Sequence, residues 1–237
     1  TIDGAHALAV NTGDEVVLFN GVIGGSTPLS SLSSNHTDIN AAITTTGAVG
    51  FSGTVMLVGD STITTTNSAV TFSDILDGTQ VLAINSGSGL ITFSSSVGTS
   101  NALTSLSLTT SNAGGITQSA PWEATSLTIA AGSGNDITLN GASNDFSTVT
   151  ITSGNNVAVT DANAVVFGSS TVSGTFGITS SGAVTQSGAL TVTGVTTISA
   201  GSGNDITLND ASNDFGIVTI ASGNDVTIVD ANMVAFG

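Results

Sequence analysis

Apolar and polar residues alternate with a period of two along most of the chain. Ile137 and Leu139 flank Thr138, and Val149 and Ile151 flank Thr150 in the same way. Because successive side chains of a strand point to opposite faces, this alternation predicts short β-strands with one buried face. Helical spacing is hard to find, so the sequence predicts an all-β fold.

The segments between these strands are rich in residues that tolerate left-handed backbone angles. Residues 132–135, 153–155 and 161–163 consist of Gly, Ser, Asn and Asp apart from Ala162, which predicts tight corners. Pro28 and Pro121 are the only prolines. A low proline content suits strands whose N–H groups are all needed for pairing.

Two internal repeats extend over nearly the whole chain. Residues 131–168 return at 200–237, an offset of 69, and residues 2–32 return at 76–106, an offset of 74. The sequence therefore predicts one continuous solenoid over residues 1–237. The first repeat type covers about 1–106 and the second about 107–237.

An all-β repeat chain could be a sandwich, a barrel or a solenoid. A long and faithful repeat favours the solenoid, because the strands of a sandwich lie in different environments and have no reason to keep their side chains. The predicted fold class is a right-handed parallel β-helix, a β-solenoid. Three coils per 69 residues give about 23 residues per coil, with adjacent coils about 4.8 Å apart and equivalent residues of successive repeats lying over one another along a single axis.

The negative charge of the chain excludes some classes of binding partner. The chain has no Lys or Arg, 16 Asp plus Glu and a formal net charge of −16. Nucleic-acid binding is excluded, since phosphate contacts need cationic side chains, and anionic membrane surfaces are disfavoured for the same reason. No apolar run is long enough for direct membrane insertion, and the absence of Cys suits a bacterial surface protein without disulfides.

Several segments resemble a known group of repeats. Residues 132–140 (GSGNDITLN), residues 143–151 (SNDFSTVTI) and the pattern F-x-G-x-x-G-G-x-x-P-L-x-S-L at residues 19–32 are similar to the β-strand repeats of giant bacterial surface proteins of the filamentous-haemagglutinin type. The resemblance implies a β-helix that is exported by two-partner or autotransporter-type secretion. It also implies an extracellular location on the bacterial cell surface and an adhesive or structural role.

Acidic residues at the predicted corners raise the question of a metal. Residues 132–136 resemble the calcium-binding nonapeptide, but their copy lies far along the chain at 201–205 instead of following directly, which favours a structural corner. We expect no cofactor. Ca²⁺ is the one ion left open, because eight Asp residues lie near corners and oxygen ligands suit it: Asp136, Asp145, Asp161, Asp205, Asp210, Asp214, Asp225 and Asp230.

The remaining chemically distinctive residues each have a structural interpretation. His6 takes the place of Gln80 in the next repeat and is predicted to be a surface residue, and His36 has no evident partner. Asn35 begins an N-x-T sequon, for which chance is a sufficient explanation. Trp122 is predicted to pack in the core, with a sugar-stacking platform beside Glu123 as the alternative.

We therefore expect no catalytic, cofactor-binding or metal residues and no enzyme activity. The favoured function is a structural or adhesive rod segment of a secreted surface fibre. A self-assembling filament or sheath subunit is the alternative, and a polysaccharide-active β-helix enzyme is a third. The expected partners are other copies or neighbouring repeats of the same protein, with cell-surface glycans as a further candidate.

Overall fold

The computed structural model describes residues Thr1–Gly237 as 27 short strands with no helix, and hence no helix that could cross a membrane. The chain forms two compact units. Unit 1 comprises Thr1–Gly115 and Ser119–Ala124, and unit 2 comprises Ile116–Gln118 and Thr125–Gly237. The predicted all-β fold is confirmed.

Unit 1 is a solenoid with three parallel sheets. Its strands are β1 (Ala7–Val10), β2 (Val17–Asn20), β3 (Ser31–Ser34), β4 (Thr37–Asn40), β5 (Ala42–Thr45), β6 (Val49–Phe51), β7 (Val55–Leu57), β8 (Ser61–Thr65), β9 (Val70–Phe72), β10 (Leu76–Asp77), β11 (Val81–Asn85), β12 (Ile91–Phe93) and β13 (Leu103–Thr109). Sheet A has the order β5-β8-β11-β13, sheet B the order β1-β3-β6-β9-β12, and sheet C the order β2-β4-β7-β10.

One turn of unit 1 visits the three sheets in sequence. β6 lies in sheet B, β7 in sheet C and β8 in sheet A, and β9 then returns to pair with β6. The pairing brings Val70 directly over Val49 and Phe72 over Phe51. Alternate residues of each strand therefore form interior columns, which explains the period of two in the sequence.

Unit 2 has two main sheets. Its strands are β14 (Ile116–Thr117), β15 (Glu123–Ala130), β16 (Ile137–Leu139), β17 (Asp145–Ser153), β18 (Val157–Asp161), β19 (Val165–Phe167), β20 (Ser170–Val172), β21 (Phe176–Ser180), β22 (Val184–Gln186), β23 (Leu190–Ser199), β24 (Ile206–Leu208), β25 (Asp214–Ser222), β26 (Val226–Ile228) and β27 (Ala235–Phe236). Sheet D has the order β14-β16-β18-β21-β23-β25-β27, with β20 also pairing β23. Sheet E has the order β15-β17-β19-β22-β24-β26.

The coils are shorter than predicted. About 11 turns of roughly 21 residues make up the two units, instead of turns of 23. Along sheet D, Ile137 pairs with Val157, Val157 with Phe176, and Phe176 with Thr196, so three turns already lead from position 137 to position 196. The repeat with an offset of 69 is therefore about three and a half turns long.

The prediction that equivalent residues of successive repeats stack on one another is wrong, because a repeat of three and a half turns ends on a different face from the one on which it began. Ile137 lies in sheet D, whereas its copy Ile206 lies in sheet E. In unit 1, Leu8 lies in sheet B and its copy Leu82 in sheet A. The side chains that stack are those one turn apart, and the longer repeat returns to the same kind of position on another face.

Two copied glycines show why the repeat keeps its residues even though the face changes. Gly24 and Gly98 both have left-handed backbone angles, with φ of 69° and 73°. A Cβ on Gly24 would collide with the carbonyl oxygen of Thr44, and one on Gly98 with that of Glu123. Each glycine thus allows a close approach of two coils that no other residue permits.

Candidate functional site

The corner before β16 leads from sheet E to sheet D, and its side chains bond to the next coil of unit 2. Asn135 Nδ2 donates to the carbonyl oxygen of Ala131 at 2.7 Å, which closes the turn. Asp136 Oδ1 accepts hydrogen bonds from the backbone N–H of Asn156 at 3.1 Å and from Asn155 Nδ2 at 2.9 Å. These bonds, from the Asn156 N–H first and the Asn155 amide second, lower the pKa of Asp136.

The second copy of this corner repeats the arrangement before β24. Asp205 Oδ1 accepts from Asn224 Nδ2 at 3.0 Å and from the backbone N–H of Asp225 at 3.2 Å. The Asn224 amide, followed by the Asp225 N–H, lowers the pKa of Asp205. Because β16 and β24 belong to different sheets, the two corners begin different faces of unit 2.

A buried amide network holds the next corner of each copy. Asn144 is fully buried, and its Nδ2 donates to Gln118 Oε1 at 2.9 Å and to the carbonyl oxygen of Thr160 at 3.1 Å. The copy is faithful, since Asn213 Nδ2 donates to Gln186 Oε1 at 2.9 Å and to the backbone of Val229 at 3.1 Å. This network was not predicted, although the recurrence of Gln118 as Gln186 and of Asn144 as Asn213 is a visible signal in the sequence.

Asp161 is a buried carboxylate at the same corner. Its Oδ2 accepts from the backbone N–H of Phe146 at 2.7 Å and its Oδ1 from that of Asn163 at 2.9 Å. Burial raises the pKa of Asp161 above its usual value. The hydrogen bonds from Asn163 and Phe146 oppose this shift, and nearby Asp145 adds to it.

A ladder of aromatic rings runs through the core of unit 1. Phe51, Phe72 and Phe93 stack along sheet B with ring centroids 5.1 and 5.0 Å apart, and Trp122 meets Phe93 edge-on at 5.2 Å. Trp122 is only 1% exposed. The prediction that it packs in the core is confirmed, and a sugar-stacking platform on Trp122 beside Glu123 is wrong because the indole ring is not accessible.

The two histidines lie in different settings. His6 is exposed, as predicted for a surface residue. His36 Nδ1 lies 3.0 Å from Thr54 Oγ1, a partner that the sequence did not indicate. In the sequon, Asn35 Nδ2 donates to the carbonyl oxygen of Gly13, and Thr37 is buried, so the motif is part of a closed corner in the folded chain.

The acidic corners do not converge on one point. No group of three or more His, Cys, Asp or Glu residues lies close enough together to hold a metal ion. Two Asp residues act as acceptors within their own turns, since Asp210 Oδ1 accepts from the Ser212 N–H at 2.9 Å and Asp230 Oδ1 from the Asn232 N–H at 2.9 Å. The expectation of no cofactor, with Ca²⁺ left open, stays a prediction.

Taken together, backbone ladders, stacked rings, corner carboxylates and buried amides all connect one coil to the next. These are the features of a repeat-built β-solenoid. A family model described as repeats of unknown function (DUF5649) matches residues 79–153 and again residues 154–222, more than half of the chain, and the chain belongs to this family. No curated protein and no solved structure matches the chain.

Proposed function

We propose that this β-solenoid is a structural segment of a secreted bacterial surface fibre or giant adhesin, and that it acts as a stiff spacer. The observation that supports this most directly is the continuity of bonding between coils. In each unit the interior columns are joined by rings or by buried amides as well as by backbone ladders. Such an array resists bending and stretching, because every coil must lose contacts with both neighbours before it opens.

Composition supports an extracellular location for the same proposal. A chain without Lys or Arg offers no cleavage site to trypsin-like proteases, and a net charge of −16 keeps neighbouring molecules apart. The proposed partners are neighbouring repeats of the same protein, with cell-surface glycans as a further candidate. The resemblance to filamentous-haemagglutinin-type repeats points in the same direction.

The proposal is tested on intact cells of the source bacterium and on single molecules. An antibody against this chain should label unbroken cells, and a protease that cleaves after small residues should remove the label. Force spectroscopy of the purified chain should show unfolding at forces typical of load-bearing domains. Label found only after cell lysis would refute the surface location, and opening at forces near thermal noise would refute the spacer.

A filament subunit is the second candidate, and the outward columns of unit 2 favour it. In sheet E the outward residues in register are all uncharged: Thr148, Val166, Thr185, Thr207 and Thr227. Flat neutral β-surfaces can pack against each other without desolvating charge. Concentration-dependent sedimentation should then show lateral oligomers that the double substitution Thr185→Asp, Thr207→Asp abolishes. Monomers at all concentrations would leave only the spacer.

A further inference from the structure

Sheet C of unit 1 presents large apolar side chains and a carboxylate to solvent on one face. Its outward column holds Leu18, Asp38 and Met56 in direct register. Leu18 is 56% exposed and Met56 37% exposed, while the inward residues Phe19 and Leu57 are buried. The exposure therefore comes from the face on which these side chains lie. It does not come from fraying of the strands.

The outward column of sheet B carries small, uncharged residues. It presents Ala9, Ser33, Gly50, Thr71 and Thr92 in register. Large apolar side chains beside a carboxylate thus distinguish sheet C from this neighbouring face. Exposed apolar patches of this kind mark interaction sites in soluble proteins.

An open cavity of about 280 Å³ lies on this face. Its apolar walls are formed by Val16, Met56 and Ile75, and its polar groups include Asp38 and Asp77. We call these five residues together with His36 and Leu18 the sheet C surface.

Asp77 adds a second carboxylate to this face, in register with Met56. This carboxylate is almost completely buried, since only 5% of its surface is exposed, and it lines the cavity. Its Oδ1 accepts from the backbone N–H groups of Gly78 at 2.9 Å and Asn101 at 2.8 Å. Oδ2 of Asp77 and both oxygens of Asp38 accept no hydrogen bond from the protein. Two carboxylates thus lie beside apolar walls on this face, and a cationic side chain is the partner that complements them.

A complementary cation cannot come from a second copy. The chain contains no Lys or Arg, so two copies that met at this face would bring Asp38 and Asp77 against their own counterparts. The apolar walls in turn suit the aliphatic stem that carries a lysine ammonium group.

We propose that the sheet C surface binds a segment of a different protein in which a lysine or arginine is flanked by aliphatic residues. The cationic head group lies between Asp38 and Asp77, its stem packs on Met56 and Ile75, and the flanking aliphatic residues cover Val16 and Leu18. The overall negative charge of the chain speeds the approach of such a basic segment.

The test uses the whole chain, labelled with ¹⁵N, and the capped peptide acetyl-Leu-Val-Lys-Val-Leu-amide as the probe. Amide shifts should change and saturate around His36, Met56 and Asp77 and remain constant in unit 2. A peptide with glutamine in place of lysine should bind about tenfold more weakly, because it loses a charge-assisted hydrogen bond. Asp38→Asn should remove this preference for lysine, and Leu18→Ser should weaken both peptides to a similar degree.

Asp14→Asn is the matched control, since Asp14 is an exposed carboxylate of unit 1 outside the surface. It should leave the affinity for the lysine peptide unchanged. Equal affinity for the lysine and glutamine peptides would overturn the proposal. An equal loss in Asp14→Asn and Asp38→Asn would also overturn it by showing general charge attraction, as would shifts that never saturate or that lie on other sheets.

Discussion

The aromatic ladder of unit 1 allows the stacking of coils to be measured at one position. Phe72 is fully buried and stacks on Phe51 and on Phe93. Phe72→Leu keeps an apolar side chain of nearly the same reach and removes both ring contacts. Each ring pair contributes about 0.5–1.5 kcal/mol beyond the burial of its area, so two pairs predict a loss of about 1–3 kcal/mol in the free energy of unfolding.

A second aromatic residue of unit 1 provides the control. Phe19 is buried but stacks on no other ring, so Phe19→Leu reports only the change of shape, expected to cost less than about 1.5 kcal/mol. Urea unfolding can be followed through the single Trp122, whose environment in unit 1 includes Phe93. The double substitution Phe51→Leu, Phe72→Leu should reveal a coupling energy of about 0.5–1.5 kcal/mol. If Phe72→Leu and Phe19→Leu cost the same and the coupling is zero, the rings do not act as a ladder.

Four further predictions concern the corners. Asn144→Ala leaves the carbonyl oxygen of Thr160 and the side-chain amide of Gln118 without their hydrogen-bond partner, and should lower the free energy of unfolding in urea by about 2–4 kcal/mol. Asn140→Ala, at an exposed position, should change it very little. Gly98→Ala should cost more than about 1 kcal/mol through its backbone angle and the collision with Glu123, while Gly134→Ala, where a Cβ meets no atom within 4 Å, should be tolerated. Because the pKa of Asp161 is raised in the folded state, the native protein holds this proton more tightly than the unfolded chain does. As pH rises above 3.8, the free energy of unfolding should therefore fall in the wild type and fall less in Asp161→Asn. Parallel curves of unfolding free energy against pH would contradict the burial argument. EDTA should leave the melting temperature unchanged, and a large fall that calcium reverses would show that the corner carboxylates do bind this ion.

The fold class could be predicted from the sequence because the stacking of coils requires particular residue types within each short segment of the chain. The alternation around Thr138, the glycine-rich corner at residues 132–135 and the exclusion of Pro28 and Pro121 from strands all follow from one-sided burial and backbone pairing. These properties depend on neighbours within a few residues, so a single sequence displays them.

The predicted coil length of about 23 residues was about two residues too long, because a sequence repeat need not equal a whole number of turns. Nothing in the amino-acid sequence states whether Ile206 lies above Ile137 or on another face, since both positions require a buried apolar residue. The buried network of Gln118 and Asn144 was missed for a related reason. Amides in polar corner sequences look solvent-exposed until the pairing of distant coils encloses them.

The sheet C surface could not be predicted either. Leu18 and Met56 lie on the outward face of their strands, but their apolar character alone suggests a place in the core. Only the register of β2, β4 and β7 shows that they share one face with Asp38.

The half turn left over by each copy of the unit 2 repeat has a consequence for how such a chain changes in length. A duplication that inserts one copy would rotate everything downstream by half a revolution around the coil axis, so that residues once presented on one side would appear on the other. Two inserted copies would restore the original orientation. Gain or loss of repeats in pairs is therefore neutral for the side that a binding residue occupies, whereas an odd change reverses it.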